Sequence, residues 1–123
     1  MEKVSFLVVD DAIFMRNVLK KMIEENPNYE VVGEAVDGRD GVKQAQKHQP
    51  DVVTLDITMP DMNGVAAAKE ILLVSPKTKI IMISAMGQQS MVINAIKNGA
   101  HDFVIKPFEK SRVMEAIKNV LLK

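Results

Sequence analysis

Polar or charged residues end four of the apolar runs in this 123-residue sequence. They are the pair Asp10 and Asp11, then Asp56, Ser84 and Lys106. Three carboxylates brought together raise one another's pKa unless a cation joins them. Oxygen ligands of this kind suit a hard divalent cation, Mg²⁺ with Mn²⁺ as the alternative. A lysine and a hydroxyl beside them could hold phosphate oxygens, so the set predicts a phosphoryl-transfer site.

Each of these residues also has an ordinary structural interpretation. The two adjacent acids could cap a helix, Ser84 could be a turn residue, and Lys106 could be a solvated surface charge. Asp56 stands just before a proline and a glycine, in the segment LDITMPDMNG, where a solvated loop acid is common. Only a fold that brings the five residues to one place favours a shared site.

Five short β-branched runs alternate with five segments of helical period, and these are the elements that would position the site. The runs begin at Val4, Glu30, Asp51, Lys79 and His101. The alternation predicts an α/β fold, a (βα)5 doubly wound five-stranded parallel sheet with right-handed crossovers. The second run is more polar than the others and suits an edge. Ligands of such sheets bind beyond the carboxyl ends of the strands, where all five polar residues fall.

Helical periodicity predicts which side chains face the core. The third helix should cover Val65 to Val74, the fourth should run from about Gln88 to Asn98, and the fifth should begin near Glu109. The predicted core stripe of the first helix is Phe14, Met15, Val18 and Met22. Those of the fourth and fifth are Met91, Val92, Ala95 and Ile96, and Val113, Ala116, Ile117, Val120 and Leu121.

Composition narrows the functional classes. The chain has no cysteine and only two histidines, which excludes thiolate sites and disfavours a histidine-rich metal site. The net charge is zero, which argues against a nucleic-acid or membrane-surface protein. No signal peptide or apolar span is present, so we expect a cytoplasmic protein. Neither a GxxxxGK[ST] loop nor a GxGxxG turn occurs, which disfavours nucleotide and dinucleotide enzymes.

The motifs together resemble the receiver domain of two-component response regulators. The segments that carry the resemblance are Asp10-Asp11, the DITMPDMNG turn, Ser84-Ala85 and Lys106-Pro107-Phe108. Longer stretches, such as VVDDAIFMR and SAMGQQSMVINAIKNGAHDFVIKPF, are similar to single-domain chemotaxis regulators of the Gram-positive type. The resemblance implies one receiver domain over residues 1–123 and the flavodoxin-like strand order 2-1-3-4-5.

The resemblance assigns chemical roles by position. Asp56 would be the phospho-acceptor. Asp11 and Asp56 would ligate Mg²⁺ directly with the backbone carbonyl of Thr58, and Asp10 would act mainly through metal-bound water. In the segment after Asp56, the Met59-Pro60 turn would leave that carbonyl free and Gly64 would let the chain re-enter a helix.

The remaining implied roles concern the phosphoryl group and its effect on the fold. Lys106 and Ser84 would hold phosphoryl oxygens, and the Lys106–Pro107 peptide bond is expected to be cis. Ser84 and its loop would move toward the new charge, and Phe103, at the aromatic switch position, would turn inward. The alternative for Phe103 is an ordinary half-buried strand residue. Met86 and Thr58 fall at the variable positions that flank the site.

The implied partners follow from such a switch. A CheA-like sensor histidine kinase would supply the phosphoryl group, the flagellar motor switch would receive the output, and a phosphatase would be a further partner. No nucleic acid or membrane is expected, and the protein would be a monomer. The predicted partner surface consists of Ile93, which lies off the core stripe of the fourth helix and should be exposed, and Lys97 beside it. Leu122 similarly lies off the core stripe of the fifth helix. The basic residues expected nearby are Lys110, Arg112 and Lys118.

Two other functions are compatible with the sequence. The chain could be the receiver of a longer regulator that binds DNA or carries an enzyme. It could also be a Mg²⁺-dependent phosphatase that forms an aspartyl-phosphate, although that class expects a second acid where Thr58 stands. In the leading interpretation the protein is a switch rather than an enzyme, since it catalyses only its own phosphorylation and dephosphorylation.

Overall fold

The structure is a computed structural model that describes residues 2–59 and 62–123. Pro60, part of the predicted Met59-Pro60 turn, lies outside the described residues. Strands and helices alternate through the described chain, as the sequence predicts. The strands are β1 (Val4–Val9), β2 (Tyr29–Ala35), β3 (Val52–Asp56), β4 (Lys79–Ala85) and β5 (Asp102–Lys106). The helices are α1 (Ile13–Glu24), α2 (Gly38–His48), α3 (Gly64–Val74), α4 (Gln89–Lys97) and α5 (Lys110–Leu121).

The strands form one parallel sheet in the order β2-β1-β3-β4-β5, which confirms the predicted flavodoxin-like order. All five residues of β3 are buried, as expected for a central strand covered on both faces. The more polar β2 lies at an edge, where one face can remain partly exposed.

The core has two halves, one on each face of the sheet. On one face, α2, α3 and α4 contribute residues such as Ala45, Ala67 and Val92. On the other face, α1 and α5 contribute residues such as Leu19 and Ile117. Burial on both faces anchors the central strands, so the residues at their carboxyl ends lie together at one edge of the sheet.

Three residues predicted to lie in the core are exposed instead. The exposed fractions are 74% for Phe14, 41% for Ile96 and 39% for Leu121. At about 100° per residue, Phe14 lies roughly 140° around α1 from the buried Leu19, so it faces away from the core. The sheet-facing side of α4 is narrow and leaves Ile96 at its flank.

Leu121 is exposed for a different reason. It is the last residue of α5 and lies beside Glu2, Lys3 and Val4, where the helix has reached the amino end of the sheet. The other four predicted core residues of α5, from Val113 to Val120, are buried. Within residues 2–59 and 62–123, no helix combines the length and the apolar character needed to cross a membrane.

Candidate functional site

The register of the sheet brings three acids together. Val9 of β1 pairs with Leu55 of β3, so the residues that follow, Asp10 and Asp56, lie side by side. Asp11 comes next along the chain. One carboxylate oxygen from each of these acids lies within 4.8 Å of the others. The predicted acidic cluster therefore exists at the carboxyl edge of the sheet.

Burial makes two of these carboxylates unusually basic. Asp10 and Asp56 are only 1% and 7% exposed, whereas Asp11 is exposed. Burial raises the pKa of Asp56 to about 6, Lys106 opposes the shift, and the charge of Asp10 adds to it. Burial also raises the pKa of Asp10, against the Ala12 amide and Lys106. The protein environment thus disfavours the charged forms that a cation would stabilise.

Lys106 reaches the acids from a strand that is not their neighbour. It is the last residue of β5, and β4 lies between β5 and β3. Its Nζ lies 3.7 Å from Asp56 Oδ2 and 3.8 Å from Asp10 Oδ2. The Lys106–Pro107 bond is cis, as predicted. The long lysine side chain therefore places one positive charge between two buried carboxylates.

Two buried oxygens at this edge have no hydrogen-bond partner among residues 2–59 and 62–123. They are Asp10 Oδ2 and Ser84 Oγ. Ser84 is 1% exposed and stands next to the end of β4. A buried polar atom without a partner costs free energy, so such atoms usually mark a place for a ligand. An acceptor and a hydroxyl of this kind fit a cation and a phosphate oxygen, respectively.

The loop after β3 is packed tightly against the site. The Thr58 amide donates to Asp56 Oδ1 at 3.3 Å, and the Gly64 amide donates to the Ile57 carbonyl at 2.7 Å. A Cβ added at Gly64 would lie 2.6 Å from both the Asp56 carbonyl oxygen and Ile57 Cα. Gly64 does not adopt a positive φ. The glycine thus permits close backbone approach rather than an unusual backbone conformation.

Comparisons with known proteins agree with this geometry. Residues 6–118 match the response regulator receiver domain family. The chain belongs to this family. The chain is 57% identical to CheY of Thermotoga maritima over 114 residues, which cover 93% of this chain and 94% of the relative. It is 53% identical to CheY of Bacillus subtilis over 115 residues, which cover 94% and 95% of the two chains.

A solved structure shows the same fold. It is the complex of CheX, CheY, BeF3 and Mg²⁺ from Borrelia burgdorferi. One of its chains has a TM-score of 0.92 and 31% identity, over 99% of this chain and 92% of that chain. The predicted resemblance is thereby confirmed. The protein is a CheY-like receiver domain of the two-component response regulators, and its close relatives are signalling proteins.

The two residues predicted to act as the switch lie around one cavity. Ser84 and Phe103 both line a cavity of about 250 Å³ with apolar walls from α4 and β5. Phe103 is half-buried, so the structure places it where the sequence predicted without deciding between its two interpretations. Ile93 lies at the same cavity and is 56% exposed, as predicted. Lys97 is exposed one turn further along α4.

Two of the basic side chains predicted near Ile93 form ion pairs within the protein. The Arg112 guanidinium donates to the Phe103 carbonyl at 2.6 Å and lies 3.6 Å from Asp102 Oδ1. Lys110 forms an ion pair with Glu25. These two side chains are therefore engaged within the protein, where periodicity alone placed them on an open rim. Lys97 and Lys118 are the exposed basic residues of the predicted set that form no ion pair within residues 2–59 and 62–123.

One residue at the site was not predicted. The Gln88 side chain accepts a hydrogen bond from the Ala85 amide at 2.7 Å and donates to Thr58 Oγ1 at 2.6 Å. A glutamine just before a helix gives no periodic or motif signal, so the sequence offered no reason to select it. Its contacts depend on two loops that meet only in the folded receiver.

Proposed function

We propose that Asp56 accepts a phosphoryl group and that this receiver domain is a phosphorylation-dependent switch. The observation that carries the proposal is the position of Asp56, a nearly buried carboxylate 3.7 Å from Lys106 and grouped with Asp10 and Asp11. Carboxylates are known nucleophiles in phosphoryl transfer, and transfer relies on positioning and charge neutralisation. Asp56, Lys106 and Ser84 are the residues to which we assign the chemistry.

The residues present fit a Mg²⁺ ion. Their donors are oxygens, one of them the buried Asp10 Oδ2, which accepts no hydrogen bond within residues 2–59 and 62–123. Asp11 and Asp56 would ligate the ion with the Thr58 carbonyl, and Asp10 would act mainly through bound water; Mn²⁺ is the alternative. When bound, the ion would neutralise carboxylate and phosphoryl charge. The Borrelia complex, which holds CheY with BeF3 and Mg²⁺, supports this assignment.

The transfer step needs the carboxylate, the phosphorylated kinase and one proton from water. An Asp56 carboxylate oxygen attacks the phosphorus of a phosphohistidine on a CheA-like sensor kinase. An oxygen–phosphorus bond forms and the phosphorus–nitrogen bond breaks, and the imidazole nitrogen keeps the electron pair and takes the proton from water. Lys106 holds charge on the transferred oxygens. Later attack by water restores the carboxylate and releases inorganic phosphate, so the only catalysis is of the domain's own phosphorylation and dephosphorylation.

Intact mass measurement tests the proposal directly. The protein is incubated with acetyl phosphate and Mg²⁺, and we expect a mass gain equal to one phosphoryl group. The gain should be absent in Asp56→Asn and retained in Asp51→Asn, a control carboxylate next to the opposite end of β3. No gain in the wild type, or a gain retained in Asp56→Asn, would contradict the assignment.

We assign the output to the face formed by α4, β5 and α5. Phosphorylation adds roughly −1.5 to −2 charge beside Ser84. Movement of that hydroxyl toward the charge opens the shared cavity to Phe103, which would reshape the surface around Ile93 and Lys97. The relatives named CheY support chemotaxis, with the flagellar motor switch as partner. A phosphatase would be a further partner, and the Borrelia complex supports a partner beyond the kinase, because CheY binds CheX there.

A pair of substitutions tests the output surface. Ile93→Ala should weaken binding of the phosphorylated domain to the motor switch protein by about tenfold, as for an apolar anchor at an interface. Leu73→Ala is the control, because Leu73 is an equally aliphatic residue, 75% exposed on α3. Equal affinity of wild type and Ile93→Ala would contradict the surface assignment and leave the phosphorylation chemistry intact.

The remaining assignments extend the same proposal. The receiver unit would comprise residues 1–123, since β1 begins at Val4 and α5 ends at Leu121. A cytoplasmic location stays a prediction. A monomeric state also stays a prediction, and sedimentation of the phosphorylated and unphosphorylated forms would test it.

A further inference from the structure

The Gln88 side chain joins two loops that border the phosphorylation site. Its Oε1 accepts from the Ala85 amide at 2.7 Å, and its Nε2 donates to Thr58 Oγ1 at 2.6 Å. The Thr58 amide in turn donates to Asp56 Oδ1 at 3.3 Å. A chain of hydrogen bonds therefore runs from the phospho-acceptor to the residue next to Ser84. We call the two Gln88 contacts the Gln88 bridge.

The Gln88 side chain does not cap the first turn of the helix that follows it. Gln88 is the N-cap residue of α4, but its side chain makes no capping hydrogen bond to that helix. Gly87, with φ of +89°, turns the chain so that Gln88 faces back toward Ala85. The helix start is thus left without its side-chain cap while two loops are joined.

The bridge opposes the movement that the switch requires. Ser84 Oγ is buried and has no partner within the described part of the chain. The proposed output requires this hydroxyl to move toward a phosphoryl group on Asp56, and a movement of the end of β4 would carry the adjoining peptide of Ala85 with it. That peptide is held by Gln88 Oε1, and Gln88 is held by Thr58. Both hydrogen bonds favour the arrangement of the turn in this structure.

We infer that Gln88 is a positioning residue that holds the β4–α4 turn in its unphosphorylated arrangement and releases it when Asp56 is phosphorylated. The inference rests on the proposed phosphorylation of Asp56. Gln88 sets the equilibrium between the two arrangements of Ser84, because a ligand must supply the free energy that opens the bridge. Removing the bridge should therefore make the phosphorylated arrangement easier to reach.

Beryllofluoride with Mg²⁺ is the probe, as a stable analogue of the phosphoryl group. We expect Gln88→Ala to bind it about three- to tenfold more tightly than the wild type by calorimetry, since two hydrogen bonds no longer have to break. Gln46→Ala, the same change at an exposed position on α2, should bind like the wild type. Thr58→Val should give a smaller gain, and in the double variant it should add little to Gln88→Ala.

A second measurement needs no ligand. In the metal-free protein, hydrogen exchange of the Ala85 amide should be about three- to tenfold faster in Gln88→Ala, because that amide has lost its acceptor. Unchanged exchange would overturn the inference. Equal beryllofluoride affinity in wild type and Gln88→Ala would also overturn it, since the bridge would then persist in both states. If the wild type itself failed to bind, the proposed phosphorylation site would be contradicted instead.

Discussion

The two edges of the sheet treat polar side chains in opposite ways. At the amino edge, Asp51 accepts hydrogen bonds from the Ser5 amide at 2.8 Å and the Ser5 hydroxyl at 3.1 Å. Nearby, the buried Thr78 hydroxyl donates to the Pro50 carbonyl at 2.7 Å and shares a 2.6 Å hydrogen bond with Ser75. At this edge the polar groups have partners inside the protein.

At the carboxyl edge two buried oxygens lack such hydrogen bonds. Asp10 Oδ2 and Ser84 Oγ make no hydrogen bond to any part of the chain that the structure describes. Burial raises the pKa of Asp56 to about 6 as well. We call the amino edge the satisfied edge, because its polar groups are hydrogen-bonded and stabilise the fold. We call the carboxyl edge the unsatisfied edge, because two of its buried oxygens could still bind ligands. Sites of function commonly carry such a local cost in stability.

Gly64→Ala should have the largest effect on stability. It tests whether the unsatisfied edge is also loosely packed. A Cβ at this position would lie 2.6 Å from two backbone atoms of residues 56 and 57, so the loop or β3 must shift. We expect the free energy of unfolding to fall by about 3 kcal/mol or more. Urea denaturation would measure it, and phosphorylation by acetyl phosphate should slow as Asp56 is displaced.

Gly87→Ala is the matched control for this change. Gly87 has φ of +89°, and a Cβ there would meet no atom within 4 Å. The cost is then backbone strain alone, about 1–2 kcal/mol. Equal losses for the two variants would show that close packing at Gly64 is not what shapes the carboxyl edge.

The sequence predicted the sheet and the acidic cluster better than it predicted details of exposure. The five β-branched runs predicted a parallel sheet with polar residues at its carboxyl edge, whereas the strand order came from the family resemblance. The register, which the sequence did not predict, places Asp10 beside Asp56. Helical periodicity failed for Phe14, because a stripe of apolar letters does not show which side of the helix meets the sheet. The Gln88 bridge could not be predicted, since its contacts join loops that are 30 residues apart in sequence.

Thr78→Val tests the satisfied edge, and Thr54→Val is its control. Both threonines are buried, but Thr54 Oγ1 lacks a hydrogen-bond partner in residues 2–59 and 62–123. Thr78→Val removes two hydrogen bonds and leaves buried acceptors without a donor. We therefore expect a loss of about 2–3 kcal/mol in the free energy of unfolding. Thr54→Val should be neutral or stabilising. Thermal and urea unfolding would compare the pair, and a similar loss in both would mean that hydrogen bonding does not distinguish them.

Asp56→Asn should stabilise the metal-free protein at pH 7. The pKa of about 6 lies above the ordinary value of 3.8, so the fold disfavours the charged form. The wild type should therefore gain stability as the pH falls from 7 toward 4, and lose it as the pH rises through 6. Asparagine stays neutral, and we expect a gain of about 1–2 kcal/mol at pH 7.

Urea denaturation at several pH values with a chelator present would measure this gain. Asp51→Asn at the satisfied edge is the control, and it should lose stability slightly, because Asp51 accepts hydrogen bonds from Ser5. A stability loss in Asp56→Asn would show that its charge is better accommodated than the burial indicates, and the contrast between the edges would weaken.

His101 should give the smallest effect, and it lies at the amino edge, just before β5. Its Nδ1 accepts a hydrogen bond from the Ile80 amide at 3.0 Å, which only the neutral imidazole can do. Burial lowers the pKa of His101, and the charges of Lys79 and Lys123 lower it further. The unfolded chain therefore binds a proton first, so stability is present above the ordinary pKa of 6.5 and is lost as the pH falls below it.

Comparison of wild type with His101→Asn measures that loss. The asparagine carbonyl can still accept a hydrogen bond from the Ile80 amide but does not titrate. The difference in the free energy of unfolding between the two proteins should therefore shift by less than about 1 kcal/mol between pH 7.5 and 5.5. His48→Gln, which removes the other histidine, should leave the shift in place. If His48→Gln lost the pH dependence of the free energy of unfolding and His101→Asn kept it, the amino edge would not depend on a neutral imidazole. The hydrogen bond to Ile80 would then be incidental to the stability of that edge.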